Sequence, residues 1–147
     1  MGGFFGAACH GDAVSDVFFG VDYHSHLGTR RGGLAVLDDN NNFNRSIHNI
    51  QNSPFRTKFE ADLPKFKGNC GIGCISDSDP QPLLIRSNLG TYAICMIGVI
   101  NNADALIDQY LSFSGGHFDA MTGGHINETE LLAALIDQKS NFADGIR

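Results

Sequence analysis

The apolar residues of this chain switch repeatedly between two spacings, and neither spacing persists for long. Residues 3–9 form a short apolar run, as expected of a buried strand. Val14, Val17, Phe18 and Val21 then recur at intervals of three and four, which puts them on one face of a helix over residues 13–26 with Asp12 as its cap. Gly28, Gly32 and Gly33 mark a loop, residues 33–37 read as a strand, and the turn-rich cluster at 38–42 returns the chain into a second strand over 43–50. Ser53 as cap, with Pro54 in the first turn, opens a short helix that ends near Pro64. Strands follow at 70–75, 82–86 and 91–100, the last two joined by a turn at 87–90. Asn101 or Asn102 caps a helix through Ala105, Leu106 and Tyr110. Asn127 and Glu130 have the spacing of a capping box before Leu131, Leu132, Leu135 and Ile136. Strands in groups, with helices between them but no strict alternation, predict an α+β or layered fold rather than a doubly wound parallel sheet.

A chain of 147 residues fits one domain. Such a domain buries roughly 70% of its unfolded surface and needs no metal or disulfide to hold a core. A net charge of −6 repels phosphate backbones and argues against nucleic acid as a partner. The four cysteines, Cys9, Cys70, Cys74 and Cys95, stand in apolar surroundings and read as small buried hydrophobes. Cys70 and Cys74 have no second Cys/His pair at ligand spacing, so no metal is expected. His24, His26, His117 and His125 read as surface or loop residues, and Cys9 as core packing rather than a nucleophile. Gly71 and Gly73 frame Ile72, but neither a Lys-Ser/Thr pair nor a third glycine completes a phosphate loop. No positive residue precedes the apolar start, position 6 is Gly6 where a myristoylation signal needs Ser or Thr, and no run reaches membrane-spanning length. The expectation is a cytoplasmic protein with no membrane association and no cofactor.

Six short segments carry a further signal through their order. Met1-Gly2-Gly3-Phe4-Phe5-Gly6 resembles the Met-Cys-Gly-hydrophobic-hydrophobic-Gly opening of class II glutamine amidotransferases. Leu27-Gly28-Thr29-Arg30-Arg31-Gly32 lies where that family has a His-Arg-Gly loop, and Asn69-Cys70-Gly71-Ile72-Gly73-Cys74 resembles its Gly-Ile-Gly-His strand. Gln81-Pro82 matches the Gln-Pro that follows. Residues Met96 to Ala103 align with His-Asn-Gly-Asn-Leu-Thr-Asn-Ala, and Asn127 to Leu132 with Ser-Asp-Ser-Glu-hydrophobic-Leu. The resemblance spans nearly the whole chain and is nearest to the amidophosphoribosyltransferases that begin purine synthesis.

That resemblance implies a four-layer αββα sandwich of the N-terminal nucleophile hydrolase type, incomplete in this fragment. It makes residues 1–147 a glutamine amidotransferase type 2-like domain, the N-terminal part of a longer protein with a C-terminal phosphoribosyltransferase-like domain as its partner. Sheet surface left uncovered is a route to homo-oligomers. In the family, a cysteine freed by removal of the initiator Met attacks the glutamine amide, with its own α-amino group as base. An Asn side chain and a Gly amide form the oxyanion hole, and an Arg and an Asp hold the two ends of the amino acid. Here the nucleophile position is Gly2, the oxyanion Asn position is Ile97, and the Arg clamp position is Ser76. Gly98 keeps one backbone donor, Arg30 is retained from the His-Arg-Gly loop, and Glu128 replaces the Asp. Arg30, Gly98 and Glu128 are therefore the substrate-binding candidates, and no catalytic residue is expected. Three losses in separate segments fit a naturally degenerate glutaminase with a structural or regulatory role better than a single disabling change. The competing expectation is part of an active transferase that moves an amino group from glutamine or ammonia to phosphoribosyl pyrophosphate.

Overall fold

A computed structural model describes residues 1–28 and 30–147. The chain divides into two compact units, Met1–Leu84 with Ala93–Ile97, and Ile85–Tyr92 with Gly98–Arg147.

The first unit is built on a four-stranded antiparallel sheet in the order β1-β4-β2-β3, formed by β1 (Gly2–Ala8), β2 (Arg31–Leu37), β3 (Phe43–Asn49) and β4 (Cys70–Ser76). Helix α1 (Val14–Tyr23) lies on one face of it. Its predicted stripe of Val14, Val17, Phe18 and Val21 is buried together with Leu34, Val36 and Ile75. Ala13, not Asp12, occupies the cap position of α1, and Asp12 one residue earlier accepts the N–H of Val14 on its Oδ1 at 2.8 Å. The close approach depends on glycine in β4: a β-carbon at Gly73 would stand 2.5 Å from Leu34 Cδ2 and 2.7 Å from Val21 Cγ2. Helix α2 (Phe55–Phe59) closes the same core, with the Phe55 and Phe59 rings stacked at 4.3 Å.

Several expectations give way to packing. Gly32 and Gly33 are buried residues of β2, not loop, because their bare backbones let the Phe55 ring and the Gln81 carbonyl rest against the strand. Helix α1 stops at Tyr23 and a 3-10 turn, Ser25–Leu27, carries the chain on. Pro54, not Ser53, occupies the cap position of α2, which ends at Phe59 and is followed by a 3-10 turn at Leu63–Lys65. Cys9 and Cys70 are exposed rather than buried: Cys9 lies past the end of the edge strand β1, and Cys70 is the first residue of β4. Thr29, quoted in the resemblance, lies outside the described residues.

Strands β5 (Leu83–Ser87) and β6 (Gly90–Ile94) pair as a two-stranded sheet. The strand expected to run to residue 100 ends at Ile94, because the N–H of Met96 is given to the side chain of buried Gln81, at 2.6 Å from its Oε1, instead of to a neighbouring strand.

In the second unit, α3 (Ala103–Ser114) packs on α4 (Glu128–Ile136), and α5 (Phe142–Ile146) packs on α4 as well. Between α3 and α4 a short hairpin forms from β7 (Met121–Thr122) and β8 (His125–Ile126). Asn127 caps α4 as predicted, its Oδ1 accepting the N–H of Thr129 at 2.9 Å. Glu130 does not close the capping box. Its carboxylate instead accepts the N–H groups of Asp119 at 3.0 Å and Ala120 at 2.7 Å, just before the hairpin. Asn102 sits at the cap position of α3 but makes no side-chain cap bond. Tyr92 donates to Asp137 Oδ1 at 3.0 Å, and burial, followed by that carboxylate, pushes its phenol up to about 12. Among the described residues no helix is long and apolar enough to cross a membrane.

Candidate functional site at the start of the first strand

The antiparallel register sets Gly2 of β1 opposite Ser76 of β4, and Ser76 in turn opposite Arg31 of β2. Directly paired residues share a face. Leu34 and Gly73 point to α1, so the neighbouring row Gly33–Cys74 and the row Gly2–Ser76–Arg31 point the other way. On that other face Gly33 lies under Gln81 and Pro82, and a β-carbon on Gly33 would fall 2.7 Å from Pro82 Cδ. The side chain of Ile97 reaches the same face over Gly2, with its Cδ1 3.0 Å from where a β-carbon of Gly2 would stand.

Polar groups gather just beyond this row. The carboxylate of Asp77 accepts from the α-amino group of Met1 at 3.0 Å and from the backbone N–H of Arg30 at 3.1 Å. The Arg30 guanidinium turns back to donate to the Asp77 carbonyl at 3.4 Å, and the Arg31 guanidinium donates to the carbonyl of Ser78. Ser76 Oγ lies 2.9 Å from Ser78 Oγ and accepts the Ser78 N–H at 3.2 Å. Ser76 is buried; the Met1 ammonium is exposed, so its ion pair with Asp77 is worth at most about 1 kcal/mol.

The arrangement holds charges and orients backbone donors. Gly2 has no side chain. Ser76 and Ser78 bond to each other, and among the described residues neither has an imidazole or amine partner to take its proton. Ile97 offers only an apolar side chain to this face. A second Ser/His/Asp group in the same unit is also no relay. Ser46 Oγ and His48 Nε2 both lie 2.5 Å from Asp62 Oδ2, so the imidazole nitrogen facing the serine is already committed to the carboxylate. Ser46, Lys65 and His48 crowd Asp62 and bring its carboxyl down to about 2, chiefly through the Ser46 and His48 hydrogen bonds.

Of the expected site residues, Gly2, Ile97 and Arg30 fall together at this end of the first unit. Gly98 and Glu128 belong to the second unit. Gly98 is exposed and a β-carbon there would meet nothing within 4 Å. Glu128, the first residue of α4, accepts the N–H of Ile100 at 2.9 Å, a loop-pinning role in addition to the favourable placement of a carboxylate at a helix start. Asp77, which organises the amino-terminal charges, was not singled out from sequence. Its signal is the Ser76-Asp77-Ser78-Asp79 run that begins at the last residue of β4, where polar residues crowd the end of a buried strand.

A mixed α+β chain whose first strand begins at residue 2, carries the candidate site at that start and lies in an antiparallel sheet under a helix has the fold of the N-terminal nucleophile hydrolases. The expected fold class is the one found. Within that class, the chain is similar to a glutamine phosphoribosylpyrophosphate amidotransferase from B. subtilis solved in complex with ADP and GMP, with a TM-score of 0.79 and 26% identity over 99% of this chain. It is also similar to a structure described as the allosteric regulatory enzyme of purine biosynthesis, with a TM-score of 0.80 and 26% identity over 99% of this chain. The match spans 31% and 32% of those two chains. No family model matches the chain, and no curated protein does.

Proposed function

We propose that the chain is a degenerate glutaminase domain of an amidophosphoribosyltransferase-like protein, with its fold kept for a structural or regulatory task and its amide chemistry gone. One observation carries the reading. A β-carbon on Gly2, the residue this reading sets where the family has its attacking cysteine, would lie 2.3 Å from the carbonyl oxygen of Ile75 and 3.0 Å from Ile97 Cδ1. The strand has closed on the space a nucleophile's side chain would occupy. Arg30, Gly98 and Glu128 are what remains of a substrate-binding set; Arg30 and Glu128 now bond to the protein's own backbone.

A second reading concerns the greater part of each neighbour that lies beyond the match. A phosphoribosyltransferase-like domain in the same protein would act on phosphoribosyl pyrophosphate with free ammonia as donor, and this domain would serve as its scaffold in the cytoplasm. The two readings separate on the full-length protein. Supplying ammonium salt and phosphoribosyl pyrophosphate and following pyrophosphate release detects a surviving transferase. Supplying glutamine instead, and following glutamate, detects a surviving glutaminase, and that result would overturn the degenerate reading.

A further inference from the structure

The second unit holds a cavity of about 570 Å³ where two of its helices end. Tyr110 and Ser114 line it from the carboxyl-terminal end of α3, and Ala134, Asp137 and Gln138 from the end of α4. A helix end of this kind presents carbonyl oxygens without intrahelical partners and carries a partial negative charge. A basic residue in the last turn offsets that charge, and neither α3 nor α4 has one. Asp137 adds a full carboxylate at the end of α4. Tyr92 holds one of its oxygens at 3.0 Å, and the Tyr92 phenol, pushed up to about 12, keeps the proton it donates. The other carboxylate oxygen has no hydrogen-bond or ion-pair partner among the described residues. Lys139, two residues on, does not line the cavity. The one cation that does is Arg86, from the β5–β6 hairpin. Its Nη1 donates to Thr91 Oγ1 at 2.8 Å, which leaves its other nitrogens without a partner among the described residues. A purely cationic ligand would meet Arg86, and a purely anionic one would meet Asp137 and the helix ends. A molecule that carries both charges satisfies both.

We propose that this cavity binds a small zwitterion, an ammonium group and a carboxylate joined by a short aliphatic spacer. The ammonium goes to Asp137 and the carbonyl end of α4, and the carboxylate to the free part of the Arg86 guanidinium. The Tyr110 ring and the Ala134 methyl group supply apolar surface for the spacer. Tyr92 acts as a positioning residue, since its hydrogen bond fixes the Asp137 carboxylate. The site shares no residue with the one at the start of β1: every residue that lines it belongs to the second unit, and Arg30 belongs to the first.

The test is isothermal titration of the full-length protein with glycine, γ-aminobutyrate and ε-aminocaproate, which hold the two charges at increasing separation. At least one should bind, and about tenfold or more tightly than its singly charged analogues, in which a methyl group replaces the amine or the carboxylate. With that zwitterion bound, amide hydrogen exchange should slow at Arg86 and Asn88 and from Ala134 to Gln138. Arg86→Gln and Asp137→Asn should each weaken binding by about tenfold or more, whereas Lys139→Gln should not. Failure of all three compounds to bind at millimolar concentration overturns the proposal. So does equal binding of the singly charged analogues, or protection that falls on the start of β1 instead. Each of these is read on the unmodified protein, so the proposal can fail whether or not a variant folds. Unchanged affinity in folded Arg86→Gln or Asp137→Asn overturns it as well.

Discussion

The carbonyl oxygen of Ile75 stands 2.3 Å from the point where a β-carbon on Gly2 would project. A real β-carbon cannot sit that close to a backbone oxygen, and no side-chain rotation relieves the clash. Gly2→Cys therefore forces apart the β1–β4 ladder at its first rung and loosens the Met1–Asp77 contact beside it. It should lower the unfolding free energy by about 1–3 kcal/mol in denaturant titration, the usual range for overpacking. Gly6→Ala is the control: its added carbon would meet Ile72 Cγ2 at 3.4 Å, an ordinary contact, and should be close to neutral.

Phe55 is 2% exposed, stacks on Phe59, lies near Phe18 and covers Gly32 of β2. It joins the loop after β3 to the core under α1. Phe55→Ala should cost about 3–5 kcal/mol in equilibrium unfolding, as expected for a large buried aromatic. A change below 1 kcal/mol would mean α2 is not docked as described.

The Ser46–His48–Asp62–Lys65 cluster predicts an acid limb in the stability profile. Asp62 titrates near 2 in the folded chain and at the ordinary 3.8 when free of its partners. Its folded pKa is the lower one. Its contribution is therefore complete above 3.8 and is lost as pH falls toward 2. Thermal unfolding between those limits should show a drop in the native chain that is smaller in Asp62→Asn, which is itself less stable at neutral pH.

In the second unit, Glu130 holds the N–H groups of Asp119 and Ala120, and the N–H of Asn127 bonds the Ala120 carbonyl at 2.7 Å. Glu130→Ala removes two of those bonds and leaves the Asn127 cap in place. Amide hydrogen exchange at Asp119 and Ala120 should accelerate by about tenfold or more, in keeping with roughly 1.5–3 kcal/mol for a bond to a charged group. Exchange at Thr129 should change little.

What the sequence could disclose follows from how local each cause is. The stripe on α1, the β2–β3 hairpin and the Asn127 cap depend on residues a few positions apart, and all appear as expected. Gly32 and Gly33 read as loop because glycine is a turn former, yet here they admit Phe55 and Gln81 from far along the chain. Residues 95–100 read as strand because they are apolar, but the ladder ends where Gln81 captures the N–H of Met96. Cys9 and Cys70 read as core by residue type, and only the order of strands reveals that one lies past an edge strand and the other at a strand's first residue. At the site, the absence of a side chain at Gly2 is visible in the sequence, whereas the closure of Ile75 and Ile97 around it needs the fold. The role of Asp77 depends on register alone, since it is the turn after β4 that brings it to Met1.

The central claim is that no group at the start of β1 attacks an amide. The direct measurement is glutamate release from glutamine by the full-length protein, with intact-mass analysis of the same sample. The account predicts no release above the uncatalysed rate and no added mass on the chain. Turnover near 1 per second, an ordinary enzymatic rate, or a glutamyl adduct on any side chain would contradict it.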